Sequence, residues 1–241
     1  MEVNKWLYKQ KFFEKWYIKF KRRLKARIPI FSNEWWNYTN FITVKIIQKH
    51  TFKLSLILDV GCGEGRILKD LVKSGRNVVG IDPSRILLND AKCSLNKSWH
   101  ADLILGVGEY LPFRSESFDA IICAATLEHL MSPMKFLKEA KRCLKKNHTI
   151  CIKQGYEKRV RRPQADHMHG FTYQEIIKLL HDSNFTIIHI SRIGNRALWT
   201  LTYLLQFIPL RKLWHKLFKI HVSLGYKNPK LAFLAIIIAK K

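Results

Sequence analysis

The chain has 241 residues, 47% of them hydrophobic, and 43 Lys or Arg stand against 18 Asp or Glu for a formal net charge of +25. That apolar content excludes wholesale disorder, and the length suits one α/β domain with decorations rather than two full domains. The apolar stretches at 231–239 and 197–210 fall short of the ~20 residues of a spanning helix, and residues 1–8 lack the apolar run and cleavage site of a signal peptide. Neither a conventional transmembrane protein nor a secreted one is therefore expected.

Five cysteines (Cys62, Cys93, Cys123, Cys143, Cys151) form no C-x-x-C pair and are odd in number. They argue against a disulfide framework or structural zinc and for a reducing, cytoplasmic compartment. The excess positive charge calls for a polyanionic neighbour, either nucleic acid or an anionic membrane surface.

In chain order, residues 1–50 read as a basic, aromatic, helical extension. Trp6, Phe13, Trp16, Tyr17, Phe20 and Leu24 fall mostly on one helical face, with Lys5, Lys11, Lys15, Lys19, Arg22 and Arg23 mainly elsewhere and Lys9 interrupting the stripe. A domain follows over 51–241. Its first strand is the apolar run 54–60, buried on both faces. A helix through Ile67, Leu68, Leu71 and Val72 ends at Gly75, and a second strand, 78–82, leads to a helix through Leu87, Leu88 and Ala91. Further strands are predicted at 103–105, 118–124, 149–152, 185–190 and 231–239, with helices at 133–144 and 173–183. An apolar-basic helical insert at about 195–229 precedes the last strand. Strands alternating with helices imply parallel pairing with right-handed crossovers. The expected fold is α/β, a Rossmann-like, seven-stranded, mostly parallel sheet with helices on both faces.

The sharpest local feature is Asp59-Val60-Gly61-Cys62-Gly63-Glu64-Gly65, between the first strand and the first helix of the domain. Glycines here let the backbone turn tightly and approach a ligand at the carboxyl edge of the sheet. A dinucleotide fingerprint would need a small residue where Arg66 stands, and a P-loop would need Gly-Lys-Ser/Thr, so neither phosphate-binding pattern fits. Asp82, ending the second strand, can accept hydrogen bonds from both hydroxyls of a ribose. Asp59 adds negative charge that suits cationic groups rather than pyrophosphate. Together these describe a cradle for a nucleoside with a positive tail.

These residues carry a resemblance. Leu58-Asp59-Val60-Gly61-Cys62-Gly63-Glu64-Gly65 is similar to the first motif of class I S-adenosylmethionine-dependent methyltransferases, and Val79-Gly80-Ile81-Asp82-Pro83-Ser84 resembles their second strand. Glu109-Tyr110-Leu111-Pro112-Phe113, Ser117-Phe118-Asp119-Ala120-Ile121 and Leu127-Glu128-His129-Leu130 resemble the succession in the type 11 subgroup. The resemblance covers about residues 50–194 plus the last strand, and implies S-adenosylmethionine as cofactor. It implies that Gly61 and Gly63 line the methionine part, Asp82 holds the ribose and Gly108 with Glu109 flanks the adenine; Asp59, Cys62 and Ala124 join the expected cofactor site. The sequence departs at Val107, where the subgroup carries an Asp near the adenine amino group, which leaves backbone groups and apolar packing to hold the base.

Methyl transfer from a sulfonium needs an aligned nucleophile, exclusion of water and, for a weakly acidic acceptor, a group that takes a proton. Candidates are Glu128 and His129 after the fourth strand, which read equally as a helix cap or packing, and His167, which with His169 and Asp166 forms a second polar cluster. Two His without a third ligand do not make a metal site, and none is expected. Asn/Asp-Pro-Pro-Tyr, which marks enzymes methylating nucleic-acid amino groups, is replaced by Cys123-Ala124-Ala125-Thr126. Cys123, in a buried strand, reads as an apolar filler. The expected reaction methylates an oxygen, nitrogen or carbon of a small or lipid-like acceptor. The basic flanks, where Leu204-Leu205 and Phe207-Ile208 suit acyl chains, point to peripheral attachment at an anionic membrane, each engaged cation contributing about 1 kcal/mol. An RNA methyltransferase and a non-catalytic binding module on the same fold are the alternatives, RNA ranking behind lipid, and packing of both flanks as lids on the sheet edge stays open.

Overall fold

The structure is a computed structural model that describes residues 30–95, 101–156, 168–194 and 232–241. Helix α1 (Ile30–His50) precedes β1 (Leu56–Val60), α2 (Arg66–Lys73), β2 (Asn77–Asp82), α3 (Arg85–Ser94) and β3 (Ala101–Leu105). Then come β4 (Phe118–Ala124), a 3-10 turn (Leu127–His129), α4 (Pro133–Cys143), β5 (Leu144–Gly155), α5 (Tyr173–Asp182), β6 (Thr186–Ile193) and β7 (Leu234–Lys240). One seven-stranded sheet results, in the order β3-β2-β1-β4-β5-β7-β6. The first five strands pair in parallel, while β7 runs antiparallel between β5 and β6. This is the expected architecture.

Side chains alternate between the two faces of a strand, so the sheet sorts its apolar residues into two cores. Leu58 and Val60 of β1, Ile121 and Cys123 of β4 and Ile150 and Ile152 of β5 face Phe136 and Leu137 of α4 and Ile176 and Leu180 of α5. Ile57, Ile122, Cys151, Ile236 and Ile238 face Trp35, Val44 and Ile47 of α1 and Ile67, Leu68 and Leu71 of α2. Each fully buried aliphatic contributes about 1.5–3 kcal/mol relative to exposure. By this period of two, Asp59 and Lys153 fall on the face that α1 and α2 cover.

The helices begin where short polar side chains meet orphan amides. Ser84 Oγ accepts from Leu87 N at 3.3 Å, and Ser132 Oγ accepts from Lys135 N ahead of Pro133. Thr172 and Glu175 form a reciprocal capping box.

Several boundaries differ from the sequence expectation. Strand β1 starts at Leu56 because Leu54 takes a left-handed turn (φ 64°), its amide donating to Gly75 O at 3.1 Å. Strand β5 starts at Leu144 rather than 149, since Leu144 pairs with Phe118 across a register shift in β4. Strand β6 continues to Ile193, zipped onto β7. The domain boundary expected after residue 50 falls at the end of α1, and α1 shares the sheet's core, with Trp35 stacked 5.2 Å from Phe233. The expected helix over 6–24 and the insert at 195–229 lie outside the described residues. Among the described residues no helix is long and apolar enough to cross a membrane.

Candidate functional site

The carboxyl ends of β1, β4 and β5, under α1 and the start of α2, enclose a cavity of about 240 Å³. Six of the predicted cofactor residues bear on it directly: Asp59, Gly61, Cys62, Gly63 and Ala124 line it, and Asp82 holds its glycine wall. The turn is built by left-handed glycines: φ is 72° at Gly61, 54° at Gly63 and 76° at Gly65. Gly61 is doubly required, because a Cβ there would lie 2.3 Å from Thr126 Oγ1. At Gly63, by contrast, the space beyond the backbone is open, leaving the peptide accessible to a ligand. Gly61 N and Cys62 N donate to Ile81 O at 2.8 and 3.2 Å, clipping the turn to the end of β2.

Asp82 completes that clip. One carboxylate oxygen accepts from Gly63 N and the other from Ser84 N, both at 2.8 Å. Burial pushes this carboxyl up to about 6, while the two amides and the nearby His129 draw it back down. Each oxygen keeps a further lone pair for a hydroxyl donor. Arg66, the residue that excludes a dinucleotide fingerprint, pairs with Glu64, and both side chains line the same cavity.

Opposite the glycines stand three residues that the sequence reasoning missed. Lys153 of β5 is 1% exposed; its Nζ donates to Asn40 Oδ1 at 2.5 Å and sits 4.7 Å from the centroid of the Trp36 ring. Trp36 and Asn40 are one helical turn apart on α1 and line the cavity with Lys153. Burial drives Asp59 up to about 8, helped by the charge of Asp82 and opposed by Lys153. Burial likewise draws Lys153 down to about 7, with Cys151 and Asp59 resisting. A lysine inside a strand buried on both faces was the available signal, since Lys is almost never fully buried without a partner; its partners lie on a distant helix.

None of the remaining predicted residues among those described lines this cavity. Gly108 packs so closely that a Cβ would approach Phe136 and Val60 to 3.0 Å. Glu109 is buried, and its Oε1 accepts from Met131 N at 2.7 Å and Ser132 N at 3.3 Å, so its carboxylate ties the loop after β3 to the start of α4. Glu128 and His129 form the 3-10 turn after β4. The Glu128 carbonyl accepts from Met168 N and His169 N, bringing the segment before α5 against that turn. Among the described residues, Glu128 Oε2, His169 Nε2 and Gln154 Oε1 are buried without a hydrogen-bond partner. His167 lies outside the described residues. Burial holds the Cys123 thiol well above its ordinary range and hence neutral.

Comparison with known proteins matches this architecture. Residues 58–152 fit the model of the type 11 methyltransferase domain. The ubiquinone biosynthesis O-methyltransferase of Coxiella burnetii is 30% identical over 135 residues, covering 50% of this chain and 56% of that one. The chain thus spans about half the length of the curated relatives it matches. Among solved structures, the 4+2 cyclase SpnF superposes with a TM-score of 0.63 at 17% identity, over 84% of this chain and 81% of that one. A SAM-dependent methyltransferase from Methanosarcina mazei superposes at 0.59 with 20% identity, over 81% and 96%. At these identities the likeness to solved structures is one of fold. Residues 58–152 are therefore similar to a type 11 methyltransferase domain, and the sheet that carries them has the fold of the S-adenosylmethionine-dependent methyltransferase it superposes on.

Proposed function

We propose that the protein transfers a methyl group from S-adenosylmethionine to a small or lipid-like acceptor. The observation that carries this reading is the cavity itself, lined by the open Gly63 backbone and by Asp59, with the Asp82 carboxylate holding the glycine turn from behind. That donor set fits a ribose and a cationic tail. S-adenosylmethionine, when bound, supplies an electrophilic methyl on a sulfonium. The chain has then to orient the acceptor in line, exclude water and receive the acceptor's proton.

On the acceptor side, the unmatched polar atoms of Glu128, His169 and Gln154 at the ends of β4 and β5 support docking of a molecule with hydrogen-bonding groups, because a buried unsatisfied group costs about 1–3 kcal/mol. Glu128, His129 and His167 are the proposed proton acceptors, and Gly108 and Glu109 the proposed adenine neighbours. The Coxiella relative's name, which specifies an O-methyltransferase of ubiquinone biosynthesis, supports an oxygen acceptor on a small molecule. The basic, aromatic sequences flanking the domain support a cytoplasmic protein attached peripherally to an anionic membrane.

The test supplies methyl-labelled S-adenosylmethionine with phenolic small molecules, a lipid extract and total RNA. Label is expected in the small-molecule or lipid fraction. Label confined to RNA, or no binding of S-adenosylhomocysteine by calorimetry, overturns the reading.

A further inference from the structure

We infer that Lys153, oriented by Asn40 and Trp36, is the receptor for the α-carboxylate at the amino-acid end of the cofactor. The inference rests on the methyltransferase reading and adds to it residues from α1 and β5 that no part of the glycine motif contains.

The geometry supports a waiting anion site. Lys153 lines the same cavity as Gly61 and Gly63 although it is buried to 1% exposure. An ammonium carries three N–H donors. Among the described residues only one of them is engaged, by Asn40 Oδ1 at 2.5 Å, and the Trp36 ring covers one side at 4.7 Å. The same helix therefore fixes the lysine's direction and shields it, leaving donors for the cavity.

The charge pattern selects the ligand. Asp59, 2% exposed, lines the cavity too, and no donor among the described residues reaches its carboxyl. Asp59 and Lys153 influence each other electrostatically across the cavity, and among the described residues they form no ion pair. A simple anion, whether a phenolate acceptor or a phosphate, would satisfy Lys153 and leave Asp59 unmatched beside it. A zwitterion satisfies both, its carboxylate on Lys153 and its ammonium toward Asp59, and this is the charge pattern at the amino-acid end of S-adenosylmethionine. Burial penalises both protein charges until that complement arrives.

Calorimetric titration of the full chain with S-adenosylhomocysteine and with 5′-methylthioadenosine, which lacks the amino-acid end, tests this. Lys153→Met keeps the volume and removes the charge. It is expected to weaken S-adenosylhomocysteine about tenfold to a hundredfold, the range of a charge-assisted hydrogen bond, and to leave 5′-methylthioadenosine within about threefold. Asn40→Ala, which leaves the lysine in place but unaimed, is expected to shift the same ratio in the same direction by a smaller factor. If Lys153→Met and Asn40→Ala weaken both compounds equally or neither, the inference fails. Lost methyl transfer with unchanged S-adenosylhomocysteine affinity would also overturn it, assigning Lys153 to the acceptor. Should the unmodified protein bind neither compound, the methyltransferase reading itself fails and takes the inference with it.

Discussion

Asp82 and Asp59 end adjacent parallel strands, and both are buried, yet the protein houses them differently. Around Asp82 the backbone has already supplied two amides at 2.8 Å, and its carboxyl rises only to about 6. Around Asp59 no such donors are in place among the described residues, and its carboxyl rises to about 8. The Asp82 side of the cleft, the proposed ribose side, is thus completed by the fold alone, through backbone amides that reach its carboxylate. The other side holds an acid and a lysine whose charged forms burial disfavours. Preorganisation of one half and unmet charge in the other is what a site needs when most of its binding energy comes from the charged tail of its ligand.

Four substitutions would break or sharpen this contrast. The largest effect is expected at Gly61, where φ is 72° and Thr126 occupies the space of a Cβ. Gly61→Val should cost about 2–5 kcal/mol from strain and overpacking and abolish cofactor binding, as read by urea denaturation and calorimetry. A variant that melts like the unmodified chain would show that the turn is not held as described.

Asp82→Ala should come next, weakening S-adenosylhomocysteine by about tenfold to a hundredfold through the loss of a charged acceptor and of the Gly63 clip. The stability of the protein without cofactor should fall less, because the turn keeps its bonds to Ile81 O. Equal affinity would place the ribose elsewhere.

At Asp59 the sign depends on pH. Its folded carboxyl keeps a proton up to about 8, whereas in the unfolded chain the proton leaves near the ordinary value of 3.8. The stability it contributes is therefore whole below pH 4 and lost as pH rises through 8. At pH 9 Lys153, drawn down to about 7, is neutral and offers no compensating charge. Asp59→Asn should then raise stability by about 1–3 kcal/mol at pH 9 and leave it nearly unchanged at pH 4, in thermal melts without cofactor. A gain equal at both pH values would refute the assignment.

The smallest effect belongs to a carboxylate far from the cleft. Asp119 accepts from Lys145 Nζ and from Leu56 N, each at 2.8 Å, and lies beside His148. Burial alone would raise its pKa, but these partners outweigh it and hold the carboxyl below the ordinary range. Its contribution is present above the unfolded value and disappears as pH falls through the lower folded one. Asp119→Asn should cost about 1 kcal/mol at pH 7, and the difference from the unmodified chain should shrink as pH falls below the ordinary carboxylate range. A gap that persists in acid would mean that shape rather than charge is responsible.

The legibility of these features in the sequence followed their range along the chain. Gly61, Gly63, Gly65, Asp59 and Asp82 lie close together because a strand, a turn, a helix and the next strand form one local unit, so their order alone described the cradle. The position of Glu128 and His129 just after the fourth strand was legible for the same reason, whereas their 3-10 turn was not. The start of β5 was missed because Lys145, Lys146 and Asn147 are poor strand formers by themselves, whereas pairing of Leu144 with Phe118 begins the strand ahead of them. Lys153 and Asn40, separated by 113 residues, meet only because α1 packs over the carboxyl end of β5.

What the amino-acid order determined by itself was the alternation of strands and helices, the left-handed glycine turn and the acid beside it, all set by side-chain period and backbone sterics within a few residues. What tertiary structure alone decided was which charges face one another across the cavity. Burial and the approach of α1 to β5 depend on contacts between distant segments, and only those contacts turn a lysine in an apolar strand into a poised cation opposite a buried acid.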